Sequence, residues 1–536
     1  MDIAFRWSLS QLLSRPNLGR LVLIQNSFGH SYKSPQKSNE KDHMPPTALI
    51  ILTSASVVFW QFLQGPSMNS VSPVIVVGGG LAGLSAAHSV LEHGGKVILL
   101  DKKPALGGNS VKASSGINGA GTHTQKRLNI SDSSRVFFDD TVVSAGPELA
   151  RSDLITALTS NSAPAIEWLT TTFGVDLSLV SRLGGHSIPR THRGTGGAPG
   201  WVMTSALMKK LTAEEDDSEK ARILKSSKVV KLLEKEGRVI GVEYESATGK
   251  IATLEGSVIM ATGGFGADFS STGLISAHRP DLMAVPTVNG DHATGDGHIL
   301  VTTLPSHPGV LVDMDQVQVH PTGFIDPANP DAKTKFLAAE ALRGVGALLL
   351  KKDGRRFVDE MEKRDVVTAK MWEVMKDGHG PVRLVLGAQA ATELKSHCDF
   401  YLSKGLMQKF ANLKDVADSM MVPVQELETT FNSHRSYASG QGKDPFGKAH
   451  FHNFEISFEE PLLVALITPV VHYTMGGVLI DSESHVIDSS NKPVPGLYAA
   501  GEVIGGVHGQ NRLGGSSLLE AVVFGRIAGE RAAKGI

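Results

Sequence analysis

The sequence predicts an α/β fold in which a Rossmann-like domain contains an insertion. Three observations lead to this class. Val74–Asp101 has the pattern of a strand, a glycine-rich turn, a helix and a second strand, which is typical of a dinucleotide-binding βαβ unit. Gly496–Glu502 is predicted to be another strand with an acidic end, followed by a second glycine-rich turn and a helix. Because these two halves of one site are far apart in the sequence, the segment between them is predicted to include an insertion.

The glycines of the first turn have the spacing GxGxxG. Gly78 is expected to form the tight turn, Gly80 to let the backbone approach a pyrophosphate, and Gly83 to let helix and strand pack closely. The predicted helix Leu81–His93 would direct its unpaired N–H groups toward the phosphates. Asp101, at the end of the second strand, is placed to accept both ribose hydroxyl groups. With all of these parts present, a dinucleotide site is favoured over a purely structural turn.

Composition excludes several classes of protein. The 536 residues carry a net charge of −2 and are 41% hydrophobic, so the chain can bury a large core and gives no electrostatic reason to expect nucleic-acid binding. Cys398 is the only cysteine, so this sequence cannot form an internal disulfide, a Cys-ligated iron–sulfur cluster or a CxxCH haem attachment. We interpret Cys398 as an ordinary buried or half-buried thiol. Any electrons are therefore expected to come from another molecule.

Residues 1–71 are interpreted as a targeting or anchoring segment and a linker. Met1–His43 is rich in basic residues and serines and poor in acids, which resembles a mitochondrial transit peptide. Ala48–Leu63 is uncharged and apolar, but slightly short for an unaided membrane span. It is predicted to be a marginal anchor, a signal-type segment or part of a cleaved leader. Mitochondrial targeting is the first interpretation, and membrane attachment in the endoplasmic reticulum or another membrane is the alternative.

Two irregular segments are candidate ligand loops. Gly107–Thr124 is rich in Gly, Ser, Asn and Ala, and is predicted to place backbone N–H groups against a planar ligand; a flexible surface loop is the alternative. Gly184–Gly200 is predicted to line the cofactor site or an interdomain cleft, with a solvated loop as its alternative. No carboxylate or cysteine accompanies its histidines at ligand spacing, so no metal site is expected. The histidines and arginines of this segment are His186, Arg190, His192 and Arg193.

Local patterns predict the other elements of this region. Ser152–Phe173 is predicted to form two helical pieces, and Ala221–Leu254 to form antiparallel strands with a turn at Glu236–Gly237. Ser257–Ala261 is predicted to be a further buried strand that ends in a glycine-rich turn. Asp296 lies in the first turn of another predicted helix, where a helix cap is the alternative to a ligand contact.

Charged residues concentrate in the predicted insertion, from about Asp315 to Tyr473. Glu340 and Arg343 are three residues apart, so one helical turn would bring them together; a surface ion pair is the plain interpretation. A pocket for a ligand with two carboxylates is the stronger one, because guanidinium groups bind carboxylates in a bidentate manner. It is favoured by two histidines and two further arginines in nearby motifs: His320, His472, Arg364 and Arg512.

Taken together, the motifs resemble the soluble, FAD-dependent fumarate reductases, and closely their fungal members. The motifs are VIVVGGGLAG, GGNSVKASSGINGA, GGHSIPRTHR, ATGDG, QVQVHPTGF, FLAAEALRG, GRRFVDE, KRDVV, TPVVHYTMGG, AAGE and GGVHGQNRLGGSSLLE. They cover about Val74–Ala533. The resemblance implies a Rossmann-like FAD-binding domain at 72–314 and 474–536, with an inserted α+β capping domain at 315–473. The substrate would bind in the cleft between them.

The resemblance also implies the FAD contacts. The predicted helix Ser517–Ala533 would present its N-terminus to the flavin pyrimidine ring, where reduced flavin is negative. Succinate dehydrogenase flavoproteins carry a histidine in the loop after the ribose strand that bonds covalently to flavin. Here Ala113–Ala120 has no histidine and His123 lies later, so non-covalent FAD is expected. The implied cofactor residues are Gly78, Gly80, Gly83, Asp101, Lys102, Asn109, Ser110, Ser114, Ser115, Gly116, Thr262, Gly263, Asp296, Tyr473, Glu502, Ser517 and Leu518.

For catalysis, the resemblance implies hydride transfer from reduced FAD to fumarate, giving succinate. Arg364 matches the family's proton donor, and Glu340 and Arg343 match the relay that returns a proton to it. The implied substrate residues are His320, His472, Arg512, Gly116 and Gly515. Leu337 and Ala339 stand where bacterial members have Met and Thr, so one hydroxyl contact to the substrate is absent.

Three alternatives stay open. The first is another flavin-dependent reductase of an α,β-unsaturated acid or a ketosteroid dehydrogenase, against which Arg512 and the two histidines favour a diacid. The second is L-aspartate oxidase or a succinate dehydrogenase flavoprotein. The third is a non-catalytic flavin-binding or assembly protein, which would be expected to lose Arg364 or the relay.

The expected partners are fumarate or succinate and an unidentified electron donor, either reduced flavin or NADH-linked. The expected role is anaerobic reoxidation of reduced cofactors.

Overall fold

A six-stranded sheet carries the predicted dinucleotide-binding unit. The computed structural model describes residues 72–217 and 219–535. Val74–Val77 lies in the sheet between Val97–Leu100 and Val258–Met260, and pairs in parallel with both. These three strands are largely buried, which explains why the sequence shows them as continuous apolar runs. The other strands of this sheet are Ala221–Leu224, His485–Ile487 and Pro493–Ala499.

One strand prediction was wrong. Ala221–Leu224 pairs in parallel with Val97–Leu100 rather than in an antiparallel sheet. It lies at the sheet edge with only part of its length buried, so its sequence alternates like an antiparallel strand. The remainder of that segment is antiparallel as predicted, and the turn at Glu236–Gly237 has positive φ at both residues. The three strands are Lys228–Lys235, Arg238–Glu245 and Ile251–Glu255.

Helices cover the parallel sheet. The two pieces predicted within Ser152–Phe173 are confirmed as Ser152–Ser160 and Ser162–Phe173. Short strands at Ile117–Asn118, Leu179–Ser181 and Thr191–Arg193 form a small antiparallel sheet beside them. The other helices up to residue 302 are Leu81–Glu92, Ser110–Lys112 (3₁₀), His123–Arg127, Ser134–Ala145, Pro199–Asp217, Leu274–His278, Pro280–Leu282 (3₁₀) and Asp296–Thr302.

The predicted insertion contains a mainly antiparallel sheet and six helices, and the α/β class of the whole is confirmed. Leu462–Thr474 is its longest strand and pairs with three others. Those strands and a fourth are Val317–Phe324, Val382–Leu386, Gln408–Phe410 and Leu348–Leu350. The helices are Ala341–Gly344, Arg364–Lys376, Ala388–Glu393, Lys395–Ser403, Leu413–Met420 and Val424–Ala438. The exact domain limits stay predictions.

The chain then returns to the first part of the fold. Gly477–Val478 pairs with Leu311–Val312, and Pro493–Ala499 re-enters the parallel sheet. The final helix, Ser516–Lys534, confirms the helix predicted at this position. The predicted transit peptide and Ala48–Leu63 lie outside the described residues. Within the described part, no helix combines the length and apolar character needed to cross a bilayer.

Candidate active site

A cavity of about 850 Å³ lies where the central parallel strands end. This is the edge at which open α/β sheets bind ligands. Gly83, Ser115 and Gly116, which the sequence also predicted to contact a cofactor, are not among the residues that line it. The predicted residues that do line it are Gly78, Gly80, Asp101, Lys102, Asn109, Ser110, Ser114, Thr262, Gly263, Asp296, Tyr473, Glu502, Ser517 and Leu518.

The glycines of the first turn allow a close approach on two sides. Gly78 has a φ of +113°, and a Cβ atom there would lie 2.2 Å from the carbonyl oxygen of Ala261. A Cβ atom on Gly83 would lie 1.8 Å from the carbonyl oxygen of Gly78, so only glycine lets the helix pack this closely on the turn. At Gly80 the nearest such atom is the Ser110 hydroxyl oxygen, 3.6 Å away. The turn is therefore tightly packed against the protein at Gly78 and Gly83 and open toward the cavity at Gly80, as a bound pyrophosphate requires.

Two helices begin at this cavity. A Cβ atom on Gly525 would lie 2.6 Å from the carbonyl oxygen of Ala82, and one on Gly529 would lie 2.4 Å from that of Ala86. Because the contacts advance along both helices together, Leu81–Glu92 and Ser516–Lys534 run parallel. Residues of both N-terminal turns line the cavity. The positive dipole ends of these helices fit the phosphates and a reduced flavin ring.

Acidic and basic side chains mark one end of the cavity. The Asp101 carboxylate accepts hydrogen bonds from the backbone N–H groups of Gly79 and Lys103, both at 2.8 Å. Each oxygen keeps a second lone pair that a ribose hydroxyl can use. Lys102 Nζ lies 2.9 Å from the Asp296 carboxylate. Burial would raise the pKa of Asp296, but hydrogen bonds from Lys102 and Thr294 outweigh it and lower the pKa.

The loop Gly107–Thr124 is held by other segments. Asn109 donates to the side chain of Asn289 at 2.7 Å, and His397 Nε2 donates to the Ser114 carbonyl oxygen at 2.7 Å. Several of its residues line the cavity, so the flexible-surface alternative was wrong. His123 is exposed, lies beside Glu167 and does not line the cavity. Sequence reasoning missed His292 and His397, which do line it, because no local pattern connects them to the loop.

The polar side chains of Gly184–Gly200 that the sequence singled out are buried, so the solvated-loop alternative was also wrong. Arg190 is fully buried and pairs with Asp132 and Asp140. His186 Nε2 donates to the carbonyl oxygen of Gly514 at 2.9 Å. His192 and Arg193 are buried as well. The segment therefore supports the turn before the last helix, and its Gly197 and Ala198 line the cavity.

Glu340 lies between two guanidinium groups. Arg364, the first residue of the helix Arg364–Lys376, donates from Nε to Glu340 Oε2 at 2.7 Å. Arg343 Nη2 lies 3.3 Å from Glu340 Oε1, and the backbone N–H of Gly184 donates to the same oxygen at 2.9 Å. Glu340 and Arg343 thus lie together as predicted, but they are buried, so the surface-pair interpretation was wrong. Burial would raise the pKa of Glu340; Arg364 and Arg343 outweigh it and lower the pKa to about 2.

Arg512 and Gln318 adjoin this group. The Gln318 side-chain oxygen accepts from Arg364 Nη1 at 2.7 Å and from Arg512 Nη2 at 3.1 Å. Gln318 thereby connects the two guanidinium groups, a role that sequence reasoning missed. The only signal was its position two residues before His320 on one strand. The Arg512 guanidinium also lies 4.4 Å from the Tyr473 ring centroid. Burial, followed by the charge of Arg364, lowers the pKa of Arg512 to about 10.

Two histidines, of which His320 is buried and His472 half-buried, face the same place. The rings of His320 and His472 are 5.1 Å apart. His320 Nδ1 accepts from the backbone N–H of Thr322 at 3.2 Å, which leaves the proton of the neutral ring on Nε2. Among the described residues, His320 Nε2 and His472 Nδ1 have no hydrogen-bond partner. Burial, followed by the charge of Arg364, lowers the pKa of both histidines well below 6.5. Buried polar atoms without partners indicate a missing polar ligand.

The predicted glycines of the substrate site lie close to other protein atoms. A Cβ atom on Gly116 would lie 2.4 Å from the carbonyl oxygen of His192, and one on Gly515 would lie 2.3 Å from Asn118 Oδ1. Neither lines the cavity. Asn118 donates to the carbonyl oxygen of Gly514 at 2.8 Å and so holds the turn before the last helix.

A half-buried carboxyl group lies on the cavity side of the charged cluster. Glu502 lines the cavity and accepts from the backbone N–H of Thr474 at 3.1 Å. Burial raises the pKa of Glu502 to about 7. Of the three buried guanidinium groups nearby, those of Arg343 and Arg364 contact the Glu340 carboxylate, and that of Arg512 joins them through Gln318. This excess of positive charge next to neutral histidines suits an anion with two carboxylates.

Comparisons with known proteins identify the family of this chain. Residues 73–518 match the model of an FAD binding domain family. The chain is 45% identical to a fumarate reductase of Schizosaccharomyces pombe over 90% of this chain and 93% of the relative. It is 44% identical to fumarate reductase 1 of Saccharomyces cerevisiae over 86% of this chain and 98% of the relative. The open conformation of a flavocytochrome c3 fumarate reductase superposes with a TM-score of 0.67 at 32% identity, covering 90% of this chain and 81% of that one.

Proposed function

The chain belongs to the FAD-dependent fumarate reductase family, and from this premise we propose that it reduces fumarate to succinate. FAD supplies the hydride when bound. The residues of the cavity fit non-covalent FAD: the open glycine turn suits the pyrophosphate, Asp101 the ribose, and the N-terminus of Ser516–Lys534 the flavin. Thr262 Oγ1, a buried hydroxyl of the cavity wall, has no partner among the described residues and offers a further contact.

Substrate binding is assigned to the charged end of the site. Arg512 and His472 hold one carboxylate of fumarate, and His320 helps to hold the other. Each of the two histidines has a ring nitrogen without a hydrogen-bond partner among the described residues, and this nitrogen can contact a substrate carboxylate. The carboxylate clamps also stabilise the charge that develops as hydride arrives.

Proton donation is assigned to Arg364. A free guanidinium rarely releases a proton, so this role needs a strongly basic acceptor and rapid replacement of the proton. The accepting carbon becomes basic as hydride adds to its neighbour. Glu340, 2.7 Å from Arg364 Nε, and Arg343 beyond it form the relay that returns the proton. The observation that carries this proposal is the buried arrangement of these three groups. They lie beside two histidine ring nitrogens that have no hydrogen-bond partner among the described residues.

Wider features belong to the same proposal. The capping domain would close over the substrate, exclude water and align the reacting groups. The electron donor would be a reduced flavin or an NADH-linked partner, because this sequence has no separate nicotinamide fingerprint. Reoxidation of reduced cofactors without oxygen, in mitochondria, would be the physiological role, with membrane attachment through Ala48–Leu63 as the alternative location.

The test uses holoprotein reduced with dithionite without oxygen and then mixed with fumarate. We expect flavin reoxidation with formation of succinate, and a loss of about 10²–10⁴-fold in rate in Arg364→Ala, because a positioned general acid contributes that much. Arg355→Ala, which removes an exposed arginine, is the control and should react normally. Unchanged reoxidation in Arg364→Ala would overturn the proton-donor role. No reoxidation by fumarate at full FAD occupancy would overturn the substrate, and other α,β-unsaturated acids would then be tested.

A further inference from the structure

A second buried ion cluster lies behind the relay. It consists of Arg356, Glu360, Asp444 and Lys448, and is called the Glu360 cluster below. The Glu360 carboxylate accepts from Arg356 Nε at 2.8 Å and Nη2 at 2.9 Å, and from Lys448 Nζ at 2.7 Å. Arg356 Nη1 also pairs with Asp444. None of the four side chains is more than 5% exposed. The cluster ties the segment before Arg364 to a loop that is distant in sequence.

The Glu360 cluster connects directly with Arg343. Arg343 Nη1 donates to the main-chain carbonyl oxygen of Glu360, at 2.5 Å. The other terminal nitrogen, Nη2, lies 3.3 Å from the Glu340 carboxylate, an ion-pair contact that lacks hydrogen-bond geometry. Arg343 Nε has no partner within the described part of the chain. The direction of this guanidinium therefore depends on two anchors, the Glu340 carboxylate on one side and the Glu360 carbonyl on the other.

We propose that Glu360 is a positioning residue for the proton relay. Its carboxylate, held by Arg356 and Lys448, fixes the Glu360 carbonyl; the carbonyl fixes the Arg343 guanidinium opposite Glu340. In each turnover Arg364 gives one proton to the substrate carbon. Glu340 passes a proton to Arg364 and receives one from Arg343, so the relay as a whole takes up one proton from solvent in each turnover. This proposal rests on the proposed function.

The relay is needed between turnovers and not within the first one. Arg364 starts the first turnover already protonated, so the first reaction with fumarate requires no proton from Arg343. Later turnovers wait for the relay. A displacement of about 1 Å in a reacting group can cost about 10²-fold in rate. Loss of the Glu360 anchor is therefore expected to slow repeated turnover while the first turnover stays normal.

The test compares single and multiple turnover in the holoprotein variants Glu360→Gln and Lys448→Met. Reduced protein mixed with fumarate should reoxidise at a rate within about twofold of the unaltered protein. With excess dithionite and fumarate, kcat should fall about 10–100-fold, and KM for fumarate should fall with it because kcat/KM reports the unchanged first turnover, while FAD occupancy stays unchanged. Glu426→Gln is the matched control. Glu426 forms an exposed ion pair with Arg355, the residue next to Arg356 in the chain. That control should leave both rates unchanged.

Each other outcome has a defined meaning. An equal fall in the two rates would show a general structural effect and overturn the relay role. No fall in either rate would show that Arg343 needs no second anchor. Loss of FAD from both variants, with Glu426→Gln intact, would assign the Glu360 cluster to folding and also overturn the proposal. If the unaltered protein does not oxidise its reduced flavin with fumarate, the proposed function fails instead, independently of Glu360.

Discussion

Two buried carboxylates in this molecule have similar charged neighbours and different surroundings. Glu340 lies between Arg364 and Arg343, and Glu360 lies between Arg356 and Lys448. In both cases burial would raise the pKa of the carboxyl group. In both cases the two cations outweigh burial and lower the pKa to about 2.

The two regions differ in the polar atoms that remain unbonded. Within the described residues, the buried side-chain polar atoms of the Glu360 cluster all have partners. Around Glu340, by contrast, five buried atoms lack a hydrogen-bond partner: Arg343 Nε, Arg343 Nη2, Arg512 Nε, His320 Nε2 and His472 Nδ1. A saturated ion cluster can only hold its elements together, whereas an unsaturated one can still bind a ligand. Unused hydrogen-bonding capacity, rather than charge, thus distinguishes the candidate site.

Glu340→Gln is expected to have the largest effect. It removes the only carboxylate between Arg364 and Arg343, so the relay loses its proton carrier and the arginines repel each other. Repeated reduction of fumarate should fall about 10²–10⁴-fold, the range for a general acid–base group. Steady-state assays of FAD-loaded protein measure this. A loss below tenfold would contradict the relay.

Arg512→Met is expected to have the next largest effect. It removes a guanidinium that faces the unsatisfied region and lies over Tyr473. Hydrogen bonds to charged groups contribute about 1.5–3 kcal/mol, so succinate affinity should fall about 10–100-fold. Titration followed by flavin absorbance gives this affinity. Arg526→Met is the control, since Arg526 lies over Trp168 at 5.0 Å and does not line the cavity. Equal losses in both variants would refute the assignment.

A pH dependence of binding should follow from His320 and His472. In the free site burial lowers both pKa values below 6.5, so both rings are neutral near pH 7. A bound dianion would raise these pKa values, so the complex would hold extra protons. Succinate affinity should therefore fall as pH rises, by up to about tenfold per pH unit for each proton taken up. Titrations between about pH 6 and pH 8 measure the slope, which His472→Gln should reduce. A flat profile would contradict this account.

The smallest effect is expected at Glu502, on the cavity side of the site. Burial raises its pKa to about 7, while an unfolded chain titrates near about 4.3. The folded protein therefore holds this proton more tightly. That stabilisation is fully present below about pH 4, and is lost progressively as pH rises through about 7. Between about pH 5 and pH 8, the Tm of Glu502→Gln should fall by a few degrees less than the Tm of the unaltered protein. Identical Tm profiles would show that Glu502 does not titrate in this range.

Local sequence was enough to predict those elements and contacts whose partners are neighbours in the chain. Val74–Asp101 follows its predicted strand, turn, helix and strand, because glycine spacing and apolar runs act over a few residues. Glu340 and Arg343 meet because three residues make one helical turn. Ala221–Leu224 was mistaken because strand direction depends on a partner, which its four residues cannot indicate.

Only the tertiary structure decided which charged groups meet and how deeply they are buried. Gln318 contacts Arg364 and Arg512 across a large sequence distance, and Lys448 reaches Glu360 from a distant loop. No periodicity encodes such pairs, since they form when separate elements pack. Burial then sets the pKa values and leaves some polar atoms unbonded. The sequence by itself therefore determined the FAD-type fold and the set of candidate residues, while packing determined which charges can still accept a ligand.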